Sequence, residues 1–518
     1  MAPDYKTPGV YIEEKNAFPN STVAVETAIP AFIGYVPSLG NAKPFKPVRV
    51  SSMADFSRLF TFPEDPLTKQ FPPAYSPRYH LSKLAQAPKK GRTYIFNGAI
   101  YAIEPDQATV YQLYASVLLF FQNGGRDAYI VPVGTYGRAS GQPIQPGDPL
   151  VNPNVKLADL QKGLTALKEV EEVTMYVFPE GTLLKRDEYN TLMQCTLLQC
   201  GELRTAVAIF DLLGGREPDP NTWTKDVQAF RDGTGDNFLK YGAAYYPFVK
   251  TTAIDADEVT YLNLGGDLTT LLQLLDTPNA PNPPAATLVK AIQKGNVANP
   301  AQQHAALLAA SKTYGEVMRI ILEKINTLPP SGVMAGLYTM VDENEGVWKA
   351  PANISPIGVT ELTLNINDAQ QSNLNVDAVS GKSINAFRYF VGRGILVWGA
   401  RTLDGNSQDW RYINVQRTAI MLEQSAKLAL RAYVFEPNDA NTWLRVKVSL
   451  ESFLFSLWKQ GALAGSQPSD AYFVQIGLGT TMTASDITDG IMHVNIGFAI
   501  ARPAGFIIIT LSQKMNDA

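Results

Sequence analysis

At 518 residues the chain is too long for one compact core, and about two to four domains are expected. Its 45% hydrophobic and 18% charged residues describe an ordered globular protein, and a net charge of −4 argues against nucleic-acid binding by bulk electrostatics. No apolar run approaches the roughly 18 residues that span a bilayer. Asp4, Lys6 and Pro8 interrupt any apolar core of a signal peptide, so synthesis and retention in the cytoplasm are expected unless a particle carries the chain out.

The chain opens on Thr7-Pro8-Gly9 followed by Val10-Tyr11-Ile12-Glu13-Glu14, a β-rich run that reads as a lone strand. Ala17–Ser21 is a linker, and Val23–Tyr35 a buried strand entering a domain. Val48–Phe60 reads as strand then helix, capped by Ser51 or Ser52. Phe62–Pro88, crowded with Pro and Tyr, is expected to be an irregular surface excursion. Helices are then expected over Val110–Phe121, Leu157–Glu169 and Arg186–Gly201. They alternate with strands over Ala128–Val133, Thr174–Phe178, Ala206–Asp211 and Ala243–Phe248, the pattern of an α/β domain with a mainly parallel sheet.

Leu271–Asn299, rich in Pro, Asn and Ala, reads as an insertion, and Ala301–Ile325 as one helix. Beyond Ala350 come strands over Ile357–Leu364 and Tyr389–Trp398, then two long helices, Trp410–Val434 and Asp439–Lys459. The second has Asn438 or Asp439 as N-cap. Its apolar residues Trp443, Val446, Leu450, Phe453, Leu454, Leu457 and Trp458 keep helical spacing, opposite Arg445, Ser449, Ser452, Ser456 and Lys459. Tyr472–Ile476 and Ile491–Ile500 are strands. Pro503-Ala504-Gly505 then launches Phe506-Ile507-Ile508-Ile509-Thr510-Leu511, a second lone strand. A strand at a terminus needs a sheet edge to complete it, in its own subunit or a neighbour's.

The residues offer little reactive chemistry, and no catalytic, cofactor-binding or metal-binding residue is assigned. His80, His304 and His493 lie in no protease-like context. Ser380-Gly381-Lys382-Ser383 ends like a P-loop, but Val376 stands where its first Gly is required. Cys195 and Cys200 read as buried small hydrophobes. Asn123-Gly124-Gly125 reads as a tight helix-to-strand turn, and Asp342, Glu343 and Glu345 as a solvated acidic loop.

Several segments in order carry a resemblance: TPGVYIEE, FFQNGGRDAYIVPV (Phe120–Val133), SGVMAGLYTMVDENEGVWKAPAN (Ser331–Asn353), VWGARTLDGNSQDWRYINVQR from Val397, FEPNDANTWLRVKVSLESFLFSLWKQGALAG and PAGFIIITLSQK. They resemble contractile tail sheath proteins along nearly the whole chain, more weakly over Thr251–Leu328. KNAFPNSTVAVETAIPAFIGYV is similar to sheaths of phage-tail-like extracellular contractile injection systems, of the antifeeding-prophage and Photorhabdus virulence cassette type.

The resemblance implies an α/β plus α+β fold: a strand arm and linker over 1–22, a subtilisin-like α/β domain over 23–349 with insertions near 62–105 and 251–300, an α+β sheath core over 350–504, and a second arm over 505–518. It implies arms exchanged between subunits, through Val10, Tyr11 and Ile12 and through Phe506, Ile507, Ile508 and Ile509. It further implies a non-enzymatic subunit that stacks as hexameric rings around an inner tube and contracts without a nucleotide or other cofactor. Its partners would be copies of itself, the inner tube, baseplate and cap proteins, and any paralogous sheath subunits, with neither nucleic acid nor membrane insertion. Assembly would be in the bacterial cytoplasm, as part of a released particle or a virion tail. Arg445, Lys447 and Lys459 are candidates for touching the tube. The tail sheath of a contractile phage is the near alternative and an α/β hydrolase the remote one.

Overall fold

The computed structural model describes residues 22–63, 74–265, 268–277, 281–295 and 299–504. In chain order the strands are β1 Pro30–Val36, β2 Val48–Val50, β3 Tyr79–Leu84, β4 Tyr94–Phe96, β5 Ala99–Pro105, β6 Ala128–Thr135, β7 Met175–Val177, β8 Val207–Asp211, β9 Gly242–Tyr246, β10 Val249–Thr251, β11 Thr327–Leu328, β12 Val359–Leu362, β13 Asn385–Phe390, β14 Gly394–Trp398, β15 Tyr472–Gln475 and β16 Asn495–Phe498. The helices of use below are α1 Met53–Leu59, α2 Leu113–Gln122, α3 Leu157–Ala166, α4 Arg186–Leu203, α5 Trp223–Gly233, α6 Thr269–Leu275, α7 Pro283–Gln293, α8 Pro300–Ala310, α9 Lys312–Ile325, α10 Ser331–Asn344, α11 Asp368–Asn375, α12 Ile413–Arg431 and α13 Ala440–Lys459.

The described residues divide into two compact units, a smaller one holding 22–25 and 421–501, and a larger one holding 26–420 and 502–504. The larger unit is built on an eight-stranded sheet in the order β14-β13-β9-β8-β7-β1-β6-β2. Its six inner strands are parallel, and the antiparallel edge strands β14 and β2 close its two ends. Such a sheet needs cover on both faces, so its central strands are mostly apolar and every residue of β1, β7, β8 and β9 is buried, Asp211 at the end of β8 included. Helices α3 and α4 pack together on the sheet through β1, β6 and β8, while α2 and α10 pack against each other and onto β1, β7 and β8.

Two glycines set the approach of α10 to α2. A Cβ at Gly332 would stand 2.6 Å from the Ser116 carbonyl oxygen, and one at Gly336 would stand 2.5 Å from that of Phe120. The N-termini of both helices rest on buried carboxylates. Glu180 Oε1 accepts the amides of Gln112 and Leu113 at 3.2 and 2.9 Å, and Asp211 Oδ1 accepts that of Ser331 at 2.8 Å. Burial pushes both carboxyls up to about 7.

The alternating α/β reading holds along this unit, with differences. Ser52 caps α1 by accepting the Asp55 amide. Phe62–Pro88 is not irregular throughout: Tyr79–Leu84 is β3, paired with β5 in a three-stranded sheet with β4. Its alternation of buried and half-exposed residues is the ordinary strand signature. Leu271–Asn299 carries α6 and α7, whose Leu271, Leu274, Leu275, Ala285 and Val289 join the main core. Ala301–Ile325 is two helices, broken at Ser311, which caps α9 by accepting the Tyr314 amide. Tyr389–Trp398 is a hairpin turning at Val391–Arg393, rather than one strand. Because β13 and β14 complete the central sheet, residues 350–420 run with the larger unit, and the boundary expected at 349/350 is not there.

In the smaller unit α13 runs as expected from Asp439, whose carboxylate accepts the amides of Asn441 and Thr442. Its Val446, Leu450, Phe453, Leu454 and Leu457 are buried. The helix packs against β15, which forms a two-stranded antiparallel sheet with β16.

Candidate assembly surfaces

The expected arm residues Val10, Tyr11, Ile12, Phe506, Ile507, Ile508 and Ile509 lie outside the described residues. What a strand could add to is described. Among the described residues no third strand pairs with β15 or β16, and Phe473 on β15 is half exposed. A two-stranded sheet by itself is marginal in water, and a sheet edge offers amides and carbonyls to which a further strand can pair.

Arg445 and Lys459 share the outer side of α13, whereas Lys447, two residues from Arg445, lies across the helix from it; each has a neighbour in its own chain. Arg445 Nη2 lies 2.9 Å from Glu436 Oε2 and 3.1 Å from Thr442 Oγ1. Lys447 Nζ is 3.8 Å from Glu451, one turn on. Lys459 Nζ stands 4.5 Å over the Phe455 ring. All are at least partly exposed, so such pairings are weak and exchangeable with a partner's groups. The same side is not purely polar: Leu444, Val448 and Phe455 are exposed on it, at positions the apolar spacing did not flag.

Other singled-out residues have structural roles. Lys382 of the P-loop-like stretch points inward, its Nζ donating to the Arg231 carbonyl at 2.7 Å. Asn123 closes the α2–β6 turn, with its side chain bonded to Leu119 and to both the amide and the carbonyl of Ile357. Cys200 is buried and its thiol is pushed up by burial, while Cys195 is partly exposed near Gln161. His304 is buried, its Nδ1 2.7 Å from the Tyr314 hydroxyl. Asp342, Glu343 and Glu345 do not form a solvated loop: they lie on or beside the last turn of α10, and each is paired. Glu343 meets Arg126 at 3.0 Å and Glu345 meets Lys349 at 2.9 Å. Asp342 is buried against Arg417 at 2.6 Å. Among the described residues no group of three or more His, Cys, Asp or Glu could hold a metal ion, and no helix is long and apolar enough to cross a membrane.

The parallel sheet covered on both faces and the helix-backed two-stranded sheet have counterparts in solved contractile sheath structures. Residues 406–514 match the phage tail sheath C-terminal domain. The whole chain is similar to the sheath of an extracellular contractile injection system, the PVC sheath complex in its contracted state. The identity is 25%, with 99% of each chain covered and a TM-score of 0.58. It is likewise similar to the contracted helical sheath of the anti-feeding prophage, at 26% identity over 98% of this chain and 100% of that one, with a TM-score of 0.58. A stretch of 139 residues is 26% identical to the tail sheath protein of Vibrio phage KVP40, covering 26% of this chain and only 20% of that relative's length. Residues 406–514 thus carry the phage tail sheath C-terminal domain, and the chain as a whole is similar to the sheath subunits of contractile injection systems.

Proposed function

We propose that this chain is the sheath subunit of an extracellular contractile injection particle. It polymerises as stacked hexameric rings around an inner tube and shortens to drive that tube through a target envelope. The likeness over 98% of the chain to a contracted helical sheath carries this reading, because it covers every part of the subunit rather than one shared domain. The match to the phage tail sheath C-terminal domain favours the phage tail as the second reading.

In this function the terminal arms act in trans. The open edges of β15 and β16 support the idea, since each could accept an extended segment from a neighbour through main-chain hydrogen bonds. The larger unit, with its parallel sheet and two helical layers, is the counterpart of the subtilisin-like domain and has no catalytic duty. Arg445, Lys447 and Lys459 face acidic groups of the tube, each contact worth about 0–1 kcal/mol, so that repetition gives grip while every contact can still release. Baseplate and cap proteins bound the stack, and assembly takes place in the cytoplasm before release.

The test is expression of the chain with its tube protein, followed by negative-stain microscopy. Striated tubes are expected. A small monodisperse species would sink the proposal. Neighbouring genes separate the two readings: capsid and terminase genes for a phage, an AAA+ ATPase and toxin cargo for an injection system.

A further inference from the structure

Residues 22–29 belong to no helix or strand, and a ladder begins only where Ile29 meets Thr174, amide to hydroxyl and carbonyl to amide, at 2.9 Å each. Upstream the segment is fixed by side chains. In the smaller unit the Val25 amide donates to Ser425 Oγ at 3.0 Å, and the hydroxyls of Thr22 and Ser449 lie 3.0 Å apart. In the larger unit Thr27 is held twice by one ion pair. Its Oγ1 donates to Asp342 Oδ2 at 2.6 Å, and its carbonyl accepts from Arg417 Nη2 at 2.9 Å.

That pair is bidentate, with Nη1–Oδ1 at 2.9 Å and Nη2–Oδ2 at 2.6 Å, and its side chains are only 3% and 4% exposed. The guanidinium also lies 4.6 Å from the Tyr338 ring, whose hydroxyl is 2.7 Å from that of Tyr245 on β9. A buried ion pair is tolerable only when further hydrogen bonds satisfy its remaining donors and lone pairs, and Thr27 supplies one of each kind. The pair joins α10, through Asp342, to α12, through Arg417. Any pull arriving from residues before Thr27 reaches this joint before it reaches the ladder at Ile29.

We propose that the Asp342–Arg417 pair is the post to which the N-terminal arm is made fast, passing a pull on the arm at Thr27 into α10 and α12 and sparing β1. This rests on the reading that a neighbouring subunit engages the arm. Thr27 acts as a positioning residue, and the pair answers to geometry as well as charge.

The experiment uses the full chain carrying Thr27→Val, which removes one hydroxyl and leaves the ion pair, or Arg417→Lys, which keeps the charge and loses the fork. Hydrogen exchange of the soluble subunit is expected to quicken about ten-fold over residues 26–29 in Thr27→Val and further in Arg417→Lys, with peptides of β1 and β6 unchanged. Sheaths assembled from either variant are expected to break into short pieces on contraction. Unchanged exchange in both variants overturns the proposal, as does faster exchange with contracted sheaths of wild-type length. Deletion of Met1–Glu14 tests the underlying reading separately: full-length tubes from that truncation would refute arm exchange whatever the two point variants show.

Discussion

Glu180 lies wholly inside the larger unit, with its Oε1 on the amides that open α2 and its carboxyl raised from 4.5 to about 7 by burial. A raised carboxyl holds its proton in the folded chain over a range where the unfolded chain has lost it. Its contribution to stability is therefore whole below about pH 4.5, falls as pH rises, and is gone above about pH 7. At about 1.4 kcal/mol per pH unit, the stretch from pH 5 to pH 7 costs the fold on the order of 2–3 kcal/mol from this residue. Asp211, also raised to about 7, adds in the same sense. Asp127 has the opposite sign: the Ser51 hydroxyl and Arg49 hold its carboxyl low, so its support is lost only as pH falls through its folded value, below 3.8. Urea unfolding of the soluble subunit should show higher stability at pH 5.5 than at pH 8. Glu180→Gln keeps an oxygen for the two amides and removes the proton, so its slope with pH should be visibly shallower. A flat or rising profile for the natural chain, or an unchanged slope in the variant, would refute this account.

Gly336→Ala should destabilise the larger unit by about 1–3 kcal/mol, because the methyl meets the Phe120 carbonyl, and thermal unfolding would read it. Asn282 caps α7 by accepting the Ala285 amide, so Asn282→Ala should cost about 1 kcal/mol by the same assay. Removal of Phe506–Ala518 should leave soluble subunits that no longer form tubes, and tubes of normal length in microscopy would end the arm reading for that end. Reversal of charge at Arg445 and Lys459 should give folded subunits whose sheaths are empty and contracted. Extended, tube-filled particles from that double variant would place the grip elsewhere.

The elements that could be read in the sequence were those whose local chemistry agrees with their packing. Asp439 followed by a clean helical period gave α13 almost to the residue, and Ser52 gave α1. Helix α10 escaped because nearly every residue before its last turn is buried, which removes the polar face that makes a period visible, and because Gly332 and Gly336 lower its propensity while serving its packing. Strand β3 was hidden by the prolines around it, and the break at Ser311 looked like an ordinary polar position inside one helix. At the candidate surface, the exposure of the α13 cations was legible from spacing. Their neighbours were not, since Glu436 reaches Arg445 only across the turn before the helix. Likewise the meeting of Thr27, Asp342 and Arg417 spans 390 positions from first to last, beyond any local pattern.

Lys324 on α9 donates to Glu104 of β5 at 3.1 Å and to Glu217 after β8 at 3.0 Å, with its side chain 8% exposed. Anyone trimming this subunit toward a minimal sheath, or swapping its lobes with those of a relative, inherits that joint. Cutting away β3 to β5 alone would strip Lys324 of one carboxylate and uncover the ammonium beside Glu217. Removing α6 to α9 alone would strand Glu104, already raised by burial, without its cation. Those two segments must therefore move together. A graft that carries β3 to β5 together with α6 to α9 keeps Lys324 with Glu104, and it can be exchanged between sheaths only where the host supplies a carboxylate in place of Glu217, which stays behind.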